Sequence, residues 1–225
     1  MALIVSKIKT FNNLSIEELN RLSRITGECM SQSDISRYPV PELNTLPEDI
    51  QSRILEVQEK AGFIPNVFLT LAHRPAEFRA FFAYHDAIME REESTLTPAE
   101  KEMIIVATSA ANGCQYCVVA HGALLRIFAK EPLLADQIAI NYLHAPISPR
   151  QKAMMDFAMS LSQSPEVISE DDYEALYMHG FDDEDIWDIA GITAFFGLSN
   201  RMAIITSMQA NREFYTMARE PRDAS

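Results

Sequence analysis

Asn112-Gly113-Cys114-Gln115-Tyr116-Cys117-Val118-Val119-Ala120-His121 sets two of the chain's three cysteines three positions apart and places a histidine four positions after the second. On a helix, Cys114, Cys117 and His121 fall at roughly 0°, 300° and 340°, so both sulfurs and the imidazole share one narrow face. Such a set suits thiol redox chemistry. The thiolate is the nucleophile, its pKa falls at a helix N-terminus and beside histidine, and a second cysteine traps the oxidised sulfur as a disulfide. Covalent haem attachment is excluded, because Val118 stands where a histidine is required. A structural zinc site would need further ligands. The candidates, Cys29, His73, His85, His144, His179 and scattered carboxylates, form no second paired motif, so no metal is expected. Two buried cysteines that only fill space are the plain alternative.

The flanking residues decide how this face is presented. Thr97-Pro98-Ala99-Glu100 combines an N-cap, a proline at the first helical position and a capping-box glutamate, which predicts a helix from 98 to about Ala111. Asn112-Gly113 stops it, since glycine accepts the left-handed conformation beyond a helix end. Cys114 then opens a second helix over 114–128, where the dipole favours a thiolate. If the two helices fold back as an antiparallel hairpin, Glu102 lies about 15 Å back from the turn and His121 about 11 Å forward. A carboxylate at that level orients the imidazole, which can then deprotonate Cys117 one turn away. The alternatives are that Glu102 is a solvated charge, or that Glu100 is the inward one.

Leu96-Thr97-Pro98-Ala99-Glu100-Lys101-Glu102-Met103 is echoed 51 positions later by Ile147-Ser148-Pro149-Arg150-Gln151-Lys152-Ala153-Met154. This suggests a partial internal repeat whose second copy, with Ala153 in place of Glu102 and no cysteine pair, is scaffold; two helices that open with Ser/Thr-Pro also look alike by chance. Elsewhere, Ser15 with Glu18 caps a helix from near 16. Residues 30–48, with Pro39, Pro41 and Pro47, read as an irregular connection. Helices are expected from Pro47 or Glu48 to about Lys60, then over 66–73 and 75–91, from Ser169 to about His179, and from Asp183 towards Asn211. The expected organisation is an N-terminal helical extension over 1–35, an all-α domain over 36–217 and a flexible tail over 218–225.

Few glycines (7 of 225 residues) and long periodic stretches agree with an all-helical fold. A net charge of −13 argues against nucleic acid and anionic membranes as partners. No run approaches the roughly 18 apolar residues of a membrane span, and Met1-Ala2-Leu3-Ile4-Val5 is too short for a signal-peptide core, so a cytoplasmic location is expected. In a reducing compartment a Cys-x-x-Cys pair is catalytic more often than structural. Helices 66–91 and 183–211 carry more apolar residues than one protomer of this size buries, so a homo-oligomer is expected.

Glu102, twelve residues before Cys114, followed by Cys-x-x-Cys-x-x-x-His, resembles the core of the alkylhydroperoxidase AhpD-like and carboxymuconolactone decarboxylase family. With Gly62-Phe63-Ile64-Pro65-Asn66-Val67 upstream and Asn200-Arg201 downstream, the chain from about 40 to 215 resembles its peroxidase-related branch. The resemblance implies an all-α fold, trimers or hexamers, and reduction of hydroperoxides through a reversible disulfide without a cofactor, with a dithiol or protein reductant as partner. It implies Cys117 as the peroxide-reacting thiol, Cys114 as the resolving thiol, and Glu102 with His121 as the proton relay. One position departs from the family pattern: Tyr116 replaces a second histidine, and a phenol with a pKa near 10 does not relay protons at neutral pH. Two other readings stand beside this one: a lyase of the decarboxylase type, whose members lack the cysteine pair, and a non-enzymatic redox sensor. Between the helix dipole at Cys114 and the imidazole near Cys117, the imidazole has the larger expected effect, so the charge is expected on Cys117.

Overall fold

Local sequence signals account for where the helices begin. In the computed structural model, which describes residues 35–220, Thr97 Oγ1 accepts from the Glu100 N–H while the Glu100 carboxylate accepts from the Thr97 N–H. Ser148 with Gln151 and Asp182 with Asp185 form the same reciprocal box. Each box satisfies two of the N–H groups that a helix start leaves unpaired. The described residues form ten α-helices and no sheet. They are α1 (Glu48–Ala61), α2 (Asn66–Leu71), α3 (Pro75–Met89), α4 (Pro98–Ala111), α5 (Gln115–Ala129), α6 (Leu134–Asn141), α7 (Pro149–Gln163), α8 (Glu170–Met178), α9 (Asp183–Ile205) and α10 (Arg212–Thr216). Among them no helix is long and apolar enough to cross a membrane. The helix expected near residue 16 and Cys29 lie outside the described residues.

Helix α4 is the centre of the molecule's main core, and every residue from Glu100 to Ser109 is buried. Met103, Ile104, Ile105, Val106 and Ala107 pack in one cluster with Leu125 of α5, Ile138 of α6, Met154 and Met155 of α7, and Ile189, Ile192 and Phe196 of α9. Charges on so buried a helix need partners. Glu100 takes Arg150 at 2.7 Å, and the Arg150 guanidinium sits 3.8 Å over the Phe181 ring. Lys101 donates to the Ile88 and Met89 carbonyls at 3.3 and 3.0 Å, where the C-terminus of α3 offers unpaired acceptors and negative dipole.

Three elements differ from the sequence expectation. Helix α6 carries no cap signal, because Leu133 occupies its N-cap and makes no side-chain bond. Helix α9 ends at Ile205, not near Asn211: Thr206 caps it and Ser207 turns the chain at φ 53°. The turn sends Met208 back over the cysteine cluster, and Asn211 bonds the Asn66 N–H and the Ile64 carbonyl. Helix α10, which the sequence did not announce, follows, and beyond it Arg219 pairs with Asp136 at 2.5 Å.

Candidate active site

The turn between α4 and α5 fixes the first sulfur. Asn112 ends α4, Gly113 adopts φ +69°, and Cys114 becomes the N-cap of α5, one position before its first helical residue. A Cβ on Gly113 would meet nothing within 4 Å, so glycine is required there by the backbone conformation and not by space. Cys114 Sγ accepts the Cys117 N–H at 3.3 Å, and the two sulfurs lie 2.7 Å apart. Both are free thiols and buried. They pack in a small apolar cluster with Tyr116, Ala120, Ala203, Met208 and Phe214.

The pair shares a proton unequally. Hydrogen bonding from Cys117 holds the Cys114 thiol below the usual cysteine range, aided by the Cys117 N–H and the charge of His121, while burial opposes the shift. The same contact, with burial and the negative charge of Cys114, pushes the Cys117 thiol far up. Of the two thiols, Cys114 is the one held down and Cys117 the one held up, whereas the sequence pointed to Cys117 through its neighbouring histidine. The physical reason is that Cys114 collects both a backbone donor and the helix N-terminus, while Cys117 is one turn inside and is left to donate.

Glu102 and His121 meet as hairpin geometry anticipates. His121 Nδ1 lies 2.8 Å from Glu102 Oε2, with 15% of the histidine side chain and 3% of the glutamate side chain exposed. Phe196 sets its ring edge-on at 4.7 Å. Glu100, the other inward candidate, is buried too, but is committed to Thr97 and Arg150. Tyr116 is a post and not a relay: its hydroxyl accepts the Val67 N–H at 3.1 Å, and burial drives its pKa upward.

Sequence reasoning assigned no role to Ser199, and quoted Asn200 only as part of a resemblance. Asn200 is fully buried, donates to Ser109 Oγ at 2.9 Å and accepts from Asn112 Nδ2 at 2.9 Å. Its hydrogen bonding favours the anionic form of both sulfurs, and that of Ser199 favours the anion of Cys117. Ser199-Asn200, two buried polar residues between Phe195-Phe196 and Ala203 of α9, carried the available signal. Among the described residues no three His, Cys, Asp or Glu side chains converge as a metal site would require. The arrangement is equipped for dithiol–disulfide chemistry, since sulfurs 2.7 Å apart reach a bond of about 2.0 Å with little backbone movement.

Comparison with known proteins bears on the family and the fold. The carboxymuconolactone decarboxylase family matches residues 75–139. The alkylhydroperoxidase AhpD core, peroxidase-related protein of Ralstonia eutropha JMP134 is 65% identical, with a TM-score of 0.83 over 85% of this chain and 100% of that one. A peroxidase-related protein of Silicibacter sp. TM1040 is 38% identical, with a TM-score of 0.79 over 84% of this chain and 99% of that one. The debrominase Bmp8, at 19% identity, shares the fold alone: its TM-score is 0.65 over 86% of this chain and 100% of that one. A comparison with curated proteins finds no match.

Proposed function

Because the chain belongs to the carboxymuconolactone decarboxylase family, in its alkylhydroperoxidase AhpD-like, peroxidase-related branch, we propose that it is a thiol-dependent peroxidase that reduces hydroperoxides through Cys114 and Cys117. The observation that carries this reading is a pair of buried cysteines with sulfurs 2.7 Å apart, built on the same hairpin as the contact between the buried Glu102 and the partly exposed His121.

The cycle starts from the Cys114 thiolate and the Cys117 thiol. Cys117 attacks the terminal oxygen of ROOH while its proton crosses to Cys114, which makes Cys114 the base and Cys117 the peroxide-reacting sulfur. The O–O bond breaks, Cys117 becomes a sulfenic acid, and the alkoxide leaves. His121, oriented by Glu102, protonates that alkoxide to ROH. Cys114 then attacks the sulfenic sulfur; the disulfide forms and its proton leaves with the hydroxyl as water. One proton enters from outside in this half-cycle. An external dithiol reduces the disulfide and the proton returns.

The test is peroxide consumption with a dithiol reductant by the wild type, Cys117→Ser and Cys114→Ser. Turnover by the wild type and its loss in both variants is the expected result. Full turnover by Cys117→Ser would overturn the assignment, and a single oxidation per chain without turnover would leave a redox switch in place of an enzyme.

A further inference from the structure

The α4–α5 turn is held from outside by one side chain of α9. Asn200 Oδ1 accepts from Asn112 Nδ2 at 2.9 Å, and Asn200 Nδ2 donates to Ser109 Oγ at 2.9 Å. The Ser109 carbonyl accepts the Cys114 N–H at 2.9 Å, and Gln163 of α7 donates to Asn112 Oδ1 at 3.0 Å. One amide therefore grips both residues that deliver the chain from α4 into Cys114. Because Asn112 donates to it, the oxygen end of Asn200 is fixed, and its nitrogen faces Ser109.

That nitrogen carries two N–H donors, and Ser109 takes one. Asn200 is 0% exposed, so the other cannot turn to water. Ala203, three positions on and on the same face of α9, packs in the cluster that holds Cys114 and Cys117. That face is the one turned to the sulfurs, and hydrogen bonding from Asn200 favours the anion of each. The titratable groups that bear on the pair are His121 and Tyr116 of α5, with Glu102 of α4 behind His121; α9 adds Ser199 and Asn200, and Met208 and Phe214 are apolar.

An N–H bonds a charged acceptor roughly twice as strongly as a neutral one. Oxidation takes the charge away: the anionic pair gives up two electrons, the remaining thiol proton leaves, the S–S bond closes, and no anion faces the amide. A group that stabilises only the reduced form makes the disulfide a stronger oxidant. We propose that Asn200 is the positioning residue that sets the reduction potential of the Cys114–Cys117 pair, by pinning the turn and holding an N–H against its anionic form. The assignment rests on the reading of the pair as a reversible disulfide, and not on peroxide as its oxidant.

The test equilibrates the full chain with a dithiothreitol buffer across pH and reads the fraction of Cys114–Cys117 disulfide by mass spectrometry after acid quench. Dithiothreitol gives up two electrons and two protons and closes to its own disulfide, while the protein S–S bond opens. Above the Cys114 midpoint, Asn200→Leu, which keeps the bulk and loses the N–H, should be reduced with an equilibrium constant about tenfold smaller, a potential about 30 mV more negative. The gap should close as pH falls through that midpoint, because a protonated pair offers the amide no charge. A potential equal to that of the wild type overturns the assignment, and so does a gap of one size at every pH, which a distorted turn would give. The wild type alone supplies a second reading that a misfolded variant does not touch. Its Asn200 side-chain N–H signals in NMR should titrate at the pH midpoint for alkylation of Cys114, and signals that ignore that midpoint overturn the assignment. If the wild type forms no Cys114–Cys117 disulfide with oxidised dithiothreitol, the redox pair falls and the role of Asn200 with it. If the disulfide titrates but no peroxide is consumed, only the peroxidase reading falls, and the two potentials still decide the role of Asn200.

Discussion

At the scale of single residues, the question is which sulfur holds the negative charge. The Cys114 thiol is lowered chiefly by hydrogen bonding from Cys117, so Cys114 should be the first cysteine alkylated near neutral pH. Cys117→Ala removes that donor, so the alkylation profile of Cys114 should move to higher pH. In Cys114→Ser the chief causes that raise Cys117 are gone, and its profile should move down from the wild-type position. Mass spectrometry of iodoacetamide-treated protein across pH reads both; a wild type alkylated first at Cys117 would show the charge assignment to be wrong. Glu102→Gln keeps the shape but not the charge that orients His121, and peroxide turnover should fall by about a hundredfold, as measured by steady-state consumption. The shared face of Cys114, Cys117 and His121 was legible in the sequence, because helical periodicity alone sets it. The direction of the Cys117 N–H and the approach of Asn200 from a distant helix were not, because spacing carries no information about either.

Among elements, the α4–α5 hairpin was the most legible, since its start, stop and restart are each written by a residue with one physical use. Gly113 holds φ +69° with open space around it, so Gly113→Ala should cost only the left-handed backbone penalty, about 1 kcal/mol. Thr97→Ala breaks a complete capping box on the most buried helix and should cost about 1 kcal/mol as well. Chemical denaturation measures both; a neutral Gly113→Ala would mean that the turn relaxes. The elements hidden from sequence lacked punctuation. Helix α6 opens on Leu133 with no capping side chain, and α9 stops at Thr206 and Ser207 with neither glycine nor proline. Both ends are set by tertiary contacts, which the pattern of one segment does not encode.

For the whole molecule, α9 is apolar on nearly every side, and such a helix is normally enclosed. On the described chain it leaves Trp187, Leu198 and Ile205 exposed, at 77%, 53% and 59% of their surface. Their spacing runs along one stripe, and a second copy is the expected cover. Sedimentation at micromolar concentration should give a mass above the 25.4 kDa of one chain, reduced by Leu198→Glu; a 25.4 kDa wild type would remove the homo-oligomer. On the proposed function, the burial of α4 and the turn at Gly113 together hold Cys114 and Cys117 as the redox pair that reduces peroxide. The most direct measurement mixes the fully reduced protein with substoichiometric hydroperoxide and counts alcohol produced against Cys114–Cys117 disulfide formed, by mass spectrometry. One disulfide per peroxide reduced, with none in Cys117→Ser, is the predicted result. Peroxide that persists beside the reduced pair, or disappears without the disulfide, contradicts it.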